Sequence, residues 1–250
     1  MQVRDLRYLY DRDYAAAYND AYLLHNDYRD FTEYEVSCIR GFLKPTSRWL
    51  DVACGTGYFL SRFQHIEHRV GLDLSPAMLA AAQRSNPDIN LYEWDFRKDV
   101  GQWHGKWDLV SSLWCAYFYV DTVAEVDILI RNMAQWTSAQ GTCFMPAFDA
   151  DMLLTQPVPD NVPYGSDDGR LSVDGVICTW VAEPSGKRHV NLVVPRIAHM
   201  TEVFEEFFSE VTVLEYPKFQ PDPRSGRKAI VAKGKRTTWK MSLQTQKLSG

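Results

Sequence analysis

Several things are missing from this 250-residue chain, and each absence excludes a class of protein. Nowhere do roughly 18 apolar residues run uninterrupted, which a membrane-spanning helix would need. The opening stretch MQVRDLRYLYDRDYAAAY has charges throughout and no apolar core of a secretion signal. The five cysteines, Cys38, Cys54, Cys115, Cys143 and Cys178, are odd in number and contain no C-x-x-C pair. That argues against a disulfide framework or a zinc cluster and suits a reducing compartment. A positive excess is missing too: 27 Lys and Arg stand against 32 Asp and Glu, for a formal charge of −5. No global field draws such a chain to nucleic acid. The expectation is a soluble cytoplasmic protein with no membrane or nucleic-acid partner and no metal.

Acidic residues are absent after Asp222, where eight basic ones follow, so residues 1–222 carry −13 and the end carries +8. Lys228–Lys233 read as part of a last strand whose charges decorate a sheet edge, and residues 235–250 as a flexible tail.

What is present is a regular alternation. Apolar runs at Arg48–Ala53, Arg69–Asp73, Asn90–Trp94, Trp107–Leu113 and Gly141–Ala147 read as strands, with helices at Tyr58–Gln64, Ser75–Ser85 and Val123–Thr137. This pattern predicts an α/β fold with a largely parallel sheet and helices on both faces. Residues 5–44 look helical and carry tyrosines at 8, 10, 14, 18, 22, 28 and 34. After the fifth strand, Leu171–Ala182 and Lys187–Arg196 flank the turn Glu183-Pro184-Ser185-Gly186 and predict an antiparallel hairpin. A helix Thr201–Ser209, a strand Val211–Tyr216, the polar turn QPDPRSGR and the final strand complete the chain.

Leu50-Asp51-Val52-Ala53-Cys54-Gly55-Thr56-Gly57-Tyr58 sits at the end of the first strand, where glycines permit a tight turn and let a ligand approach bare backbone. The third glycine of the dinucleotide fingerprint is lacking, since Leu60 stands there, so a pyrophosphate on the helix N-terminus is disfavoured. Asp73 ends the second strand, at the distance past the first turn where an acid accepts from both ribose hydroxyls. Asp95 ends the third and can accept from an exocyclic amine. Three carboxylates at successive strand ends, those of Asp51, Asp73 and Asp95, suit a cationic, donor-rich cofactor without phosphate, such as S-adenosylmethionine.

DVACGTGYF, GLDLSPAMLAAA and WDF resemble motifs I to III of the class I S-adenosylmethionine-dependent methyltransferases. The resemblance implies a Rossmann-like seven-stranded sheet with an N-terminal helical cap over 1–46, the cofactor domain at 47–148 and 198–234, and an inserted antiparallel β lid at 149–197. It places Gly55 and Gly57 beside the methionine part, Asp73 on the ribose, Met78 against adenine, and Asp95 with the Phe96 N–H on adenine's edge. Ala53 stands where the commonest pattern has a glycine. With Asp51, Leu74 and Leu113, these complete the expected cofactor set, and S-adenosylhomocysteine is the implied product.

Methyl transfer is an in-line displacement in which positioning alone is worth on the order of 7–11 kcal/mol. Where many nucleic-acid and amide methyltransferases carry [DN]-P-P-[YF], this chain has Trp114-Cys115-Ala116-Tyr117-Phe118-Tyr119, an aromatic wall able to hold a cationic amine. Tyr18, Trp114, Tyr117, Trp180 and Arg196 are the candidate substrate residues. Tyr14 and the lid histidine His189 are the candidate catalytic ones. The organisation resembles small-amine N-methyltransferases, among them the aminosugar and glycine or sarcosine enzymes. The expected activity is methylation of an amine on a small metabolite. A hydroxyl acceptor is the alternative, and a nucleic-acid methyltransferase or a non-catalytic cofactor-binding protein is less favoured. A homodimer is left open.

Overall fold

The computed structural model describes residues 10–153, 162–163, 170–171, 173–182, 187–217 and 227–236. The hairpin turn at 183–186, most of the QPDPRSGR turn and the tail from 237 onward lie outside the described residues, as do residues 1–9.

Seven strands form one sheet: β1 (Arg48–Val52), β2 (His68–Asp73), β3 (Asn90–Glu93), β4 (Trp107–Ser111), β5 (Thr137–Phe148), and the late β8 (Phe208–Glu215) and β9 (Arg227–Lys235). Their spatial order is β8-β9-β5-β4-β1-β2-β3. The five early strands run parallel, while β9 is antiparallel to both β5 and β8. Order reverses at β1, between β2 and β4, and such a switch point leaves a crevice beyond the strand ends.

Among the described residues six α-helices accompany the strands: α1 (Arg12–Tyr18), α2 (Arg29–Phe42), α3 (Tyr58–Ser61), α4 (Pro76–Ser85), α5 (Val123–Trp136) and α6 (Ile197–Glu205). Local chemistry fixes where they begin. Asp11 accepts from the Tyr14 N–H at 2.8 Å at the start of α1. Ser75 accepts from the Met78 N–H at 3.2 Å, with Pro76 in the first turn of α4. Thr122 accepts from the Glu125 N–H at 3.3 Å and opens α5. On one sheet face Leu129, Ile130, Met133 and Trp136 of α5 pack with Met200 and Phe204 of α6. On the other, Ile39 of α2 and Leu60 and Phe63 meet Trp49 and Phe144. Truncating any of these to alanine should cost about 2–5 kcal/mol.

The expected α/β sheet with helices on both faces is therefore what the chain forms, with several corrections. The helix expected over Tyr58–Gln64 stops at Ser61, because Arg62, Phe63 and Ile66 donate to carbonyls three residues back and tighten the chain. The helix expected at Thr201–Ser209 begins at Ile197, since Ile197, Met200, Val203 and Phe204 form its buried stripe. The fifth strand starts at Thr137, directly after α5, rather than at Gly141. The last strand is not an edge: β9 lies between β8 and β5, so its side chains flank the core.

The hairpin expected after the fifth strand exists as a separate two-stranded sheet of β6 (Gly175–Ala182) and β7 (Lys187–Pro195). Leu171 belongs instead to a two-residue pairing with Val162. Leu192, Val193 and Val194 bury the hairpin against the body.

The tyrosine-bearing N-terminal segment is α1 followed by a π turn, Asn19–Leu23. Two hydroxyls tie it down. Thr56 donates to Asn19 Oδ1 at 2.6 Å, and Ser75 donates to the Tyr10 carbonyl at 2.9 Å. Both sit in the loops that follow β1 and β2, so the segment is fastened over the crevice.

Candidate active site

Past the end of β1 the chain takes three left-handed conformations, at Ala53 (φ 57°), Gly55 (φ 55°) and Gly57 (φ 68°). Gly55 faces open space, with no atom within 4 Å of where a Cβ would stand. Gly57 is different: a Cβ there would lie 2.8 Å from Asn86 Nδ2 and 2.9 Å from Ala82 Cβ. Its requirement is close packing on α4, and it does not line the crevice, where sequence had placed it beside the ligand.

A cavity of about 530 Å³ opens at the ends of β1, β2 and β4. Asp51, Ala53, Gly55, Asp73, Leu74, Met78, Asp95, Phe96 and Leu113 all line it, together with Tyr14, Tyr18, Trp114 and Trp180. Tyr117, His189 and Arg196 do not line it.

Asp73 is held by the two loops it joins: Oδ2 accepts from the Gly55 N–H and Oδ1 from the Ser75 N–H, each at 2.8 Å. Burial raises its pKa despite those bonds. Asp51 is buried at the floor, where burial pushes its carboxyl up to about 8. The Trp49 indole donates to Ser111 Oγ, and Ser111 donates to Asp51 Oδ1 at 2.7 Å. Water is thus replaced by one hydroxyl, and a cationic ligand group nearby would restore the charged form.

Asp95 reaches the cavity with its carboxylate already engaged. Arg97 Nε and Nη2 donate to it at 2.9 and 2.8 Å, and Arg97 Nη1 reaches Glu125 at 2.9 Å. Burial raises the Asp95 pKa, but the Arg97 hydrogen bonds outweigh it and hold the carboxyl below its usual range.

The opposite wall is aromatic. Tyr10, Tyr14, Tyr18 and Tyr22 follow one another with ring centroids 5.0–5.7 Å apart between successive members. Tyr22 then meets Trp180 at 6.0 Å, Trp180 stacks on His189 at 4.8 Å, and Tyr119 closes the circuit onto Tyr10 at 5.4 Å. Burial lifts the phenols of Tyr10, Tyr14 and Tyr18 above their ordinary range, so they act as neutral hydroxyls. Trp114 and Cys115 both adopt left-handed backbone, at φ 55° and 53°. For bulky residues this is strain of the kind that clusters at functional sites, and here it accompanies an indole at the cavity.

Besides Gly57, three expected site residues lie outside the cavity lining. Tyr117 is fully buried, packed in the main core, and its hydroxyl accepts from the Phe148 N–H at 3.2 Å. Arg196 is paired with Asp151 at 2.8 Å, away from the cavity, at the start of α6. His189 is also buried behind the wall, and its Nδ1 lies 2.9 Å from the Tyr119 hydroxyl.

Arg227 was missed, and it lines the cavity. It begins β9, stands over the Trp114 ring at 4.4 Å, and faces the buried Glu35 carboxylate at 3.3 Å. Tyr216 also donates to Glu35, at 2.9 Å. Burial opposes the Arg227 charge, but Glu35 more than restores it. The one signal in sequence was a basic residue opening a strand, which reads equally as surface charge.

Among the described residues no group of three or more His, Cys, Asp or Glu is arranged to hold a metal, and no helix is long and apolar enough to cross a membrane.

A methyltransferase domain family matches residues 50–141. A dTDP-4-amino-2,3,4,6-tetradeoxy-D-glucose N,N-dimethyltransferase of Saccharopolyspora spinosa is 32% identical over 167 residues, 61% of this chain and 66% of that one. A dTDP-3-amino-3,4,6-trideoxy-alpha-D-glucopyranose N,N-dimethyltransferase of Streptomyces venezuelae is 31% identical over 130 residues, 51% and 54% of the two chains. This chain spans less than two thirds of the length of the curated relatives it matches. Among solved structures, the S-adenosylmethionine-bound amino pentose methyltransferase CalS10 of Micromonospora echinaspora matches with a TM-score of 0.60 and 24% identity, over 90% of this chain and 97% of that one. DesVI of Streptomyces venezuelae matches at 0.55 and 23%, over 93% and 99%. These neighbours share the fold, and both the fold and the family resemblance expected from sequence hold.

Proposed function

We propose that this chain, which carries a methyltransferase domain and resembles the class I small-molecule methyltransferases of the aminosugar N-methyltransferase group, methylates an amine nitrogen using S-adenosylmethionine. The observation that carries the reading is the division of one cavity into a carboxylate end and an aromatic end.

The residues present fit that cofactor. Asp73, fixed by the Gly55 and Ser75 N–H groups, would accept from a ribose, and Met78 and Phe96, which line the cavity, would pack against a base. Bare backbone at Gly55 admits a close approach, and Asp51 offers a carboxylate to a cationic group. When bound, the cofactor supplies a methyl group on a positively charged sulfur. The chain's own part is to hold the acceptor in line and exclude water, which the tyrosine segment and the hairpin, proposed as a lid, would do from above.

On the acceptor side, Tyr18, Trp114 and Trp180 present ring faces that suit an amine in either charge state. Arg227 adds a buried positive charge beside them. An acceptor bearing both an amine and an anionic group answers both features. Nucleotide-linked amino sugars, the compounds for which the curated relatives are named, combine the two. Such a substrate, acting in a soluble compartment, is the proposal.

The test is incubation with S-adenosylmethionine and a panel of sugar-nucleotide amines, with the matching hydroxyl compounds alongside, followed by mass spectrometry. Methylated amines and S-adenosylhomocysteine are the expected products. Methylation of the hydroxyl compounds alone would transfer the assignment to oxygen, and no methylation of either would overturn it.

A further inference from the structure

Tyr119 and His189 are two polar members of the aromatic circuit that face each other, they come from segments 70 residues apart, and Tyr119 is also hydrogen-bonded to Tyr10. Tyr119 ends the short turn Ala116–Tyr119 after β4, and His189 lies on β7 of the hairpin. The phenol lines the cavity; the imidazole is behind it, buried to 2% exposure and stacked on Trp180. The Oη to Nδ1 separation is 2.9 Å. A phenol of the cavity wall and a ring nitrogen within hydrogen-bond reach of its hydroxyl supply two successive sites for a proton.

We infer that Tyr119 is a catalytic residue of the proposed N-methylation and that His189 is the positioning residue behind it, the pair forming a proton relay from the acceptor nitrogen. The inference rests on the reading given under Proposed function. As the nitrogen lone pair forms the new N–C bond, the C–S bond breaks and its electron pair stays on sulfur, leaving the nitrogen with a positive charge and a surplus proton. That proton passes to Tyr119 Oη while the Tyr119 hydroxyl proton passes to His189 Nδ1. The amine is left neutral and methylated and the imidazole is left protonated, and the proton returns through the Tyr119 hydroxyl to water that enters the cavity as product leaves. Before transfer, the same Oη accepts the amine N–H and so turns the lone pair toward the methyl group.

From the N-terminal segment Tyr10, Tyr14 and Tyr18 face Tyr119, and burial keeps all three neutral well above the physiological range. Trp180 from the hairpin does not titrate. The charged residues lining the cavity are Asp51, Asp73, Asp95, Arg97, Asp121 and Arg227, and Arg97 pairs with Asp95 and with Glu125. Imidazole is the side chain that takes and returns a proton near neutral pH.

The experiment compares wild type with Tyr119→Phe, His189→Gln and the double variant. Tyr119→Phe keeps the ring in the aromatic circuit, and thermal unfolding monitors whether each variant folds. Removing a general base typically costs about 100-fold. Each single variant should therefore lose kcat by about that factor, the double should be no worse than either single, and the acid limb of the pH–kcat profile should shift to that of the acceptor amine alone. Nitrogen-15 NMR of the histidines, without turnover, supplies the second readout: the His189 titration should move in Tyr119→Phe. Retention of kcat and the acid limb in Tyr119→Phe, or losses that multiply in the double variant, would overturn the relay. Should the wild type bind S-adenosylhomocysteine but methylate no amine, the functional reading fails. An unmoved His189 titration would sink the relay itself in that case too.

Discussion

The two ends of the cavity are built in different ways. At the carboxylate end, Asp51, Gly55, Asp73 and Asp95 come from the ends of three consecutive strands, β1, β2 and β3, and the turns that follow them. The aromatic end is assembled from the N-terminal segment, the turn after β4, the hairpin and the first residue of β9, which meet only once the chain is folded. The first end is a property of the fold and the second is a property of this chain. Substitutions should therefore affect cofactor and acceptor separately.

The largest effect should come from Arg227→Ala. Loss of the guanidinium leaves the Glu35 carboxylate buried without its cation, which should destabilise the protein by about 3–5 kcal/mol in thermal or urea unfolding. Cofactor affinity in the folded fraction should stay within about twofold, and a parallel collapse of cofactor binding would show that the two ends are one. Next is Asp73→Ala, which removes an acceptor for two loop N–H groups as well as the ribose contact. Charge-assisted hydrogen bonds of this kind are worth about 2–3 kcal/mol. Calorimetry should therefore show cofactor binding weakened some 30- to 100-fold, roughly tenfold per 1.4 kcal/mol.

Asp51 sharpens the comparison through pH. Burial raises its pKa to about 8, far above the value near 3.9 of an unfolded chain. The folded protein keeps a proton that the unfolded chain gives up, so this contribution is full below about pH 4 and is lost as pH rises to about 8. In that window the slope for the ligand-free protein approaches about 1.4 kcal/mol per pH unit. Asp51→Asn should lack it in a pH series of melting temperatures. Binding of a cationic cofactor at neutral pH should also release protons, seen as a buffer-dependent heat. At the other end, Trp180→Ala removes one ring of the circuit and should raise the acceptor KM about tenfold while the cofactor Kd holds. The smallest effect belongs to Ala53→Gly. A left-handed alanine costs on the order of 1 kcal/mol, partly offset by the freer unfolded glycine, so the variant should gain less than about 1 kcal/mol.

Legibility in the sequence follows the same division. Asp51, Gly55 and Asp73 were readable because each sits at a strand end marked by its own neighbours, and α4 because Ser75 and Pro76 announce its start. Tyr117 was misplaced because neighbouring aromatics in a turn divide between core and cavity by backbone angles that the sequence does not display; left-handed Trp114 and Cys115 set that division here. Arg227 was invisible because its partner Glu35 lies on α2, far away in the sequence, and a strand-opening arginine looks like surface charge. The internal position of β9 was missed for a related reason. Strand order depends on which neighbours pair, and β8 covers the outer side of β9 although it precedes it in the chain. Arg97 escaped because its spacing from Asp95 reads as a turn, while the contact that matters also involves Glu125 on α5.

The central claim is that the carboxylate end, and Asp73 above all, holds the adenosine part of the cofactor. Its most direct test is calorimetric titration of S-adenosylhomocysteine into wild type and Asp73→Ala side by side, with folding of both verified. Saturable binding to one site in the wild type and at least tenfold weaker binding in the variant are predicted. Equal affinities, or no heat from the wild type, would contradict it.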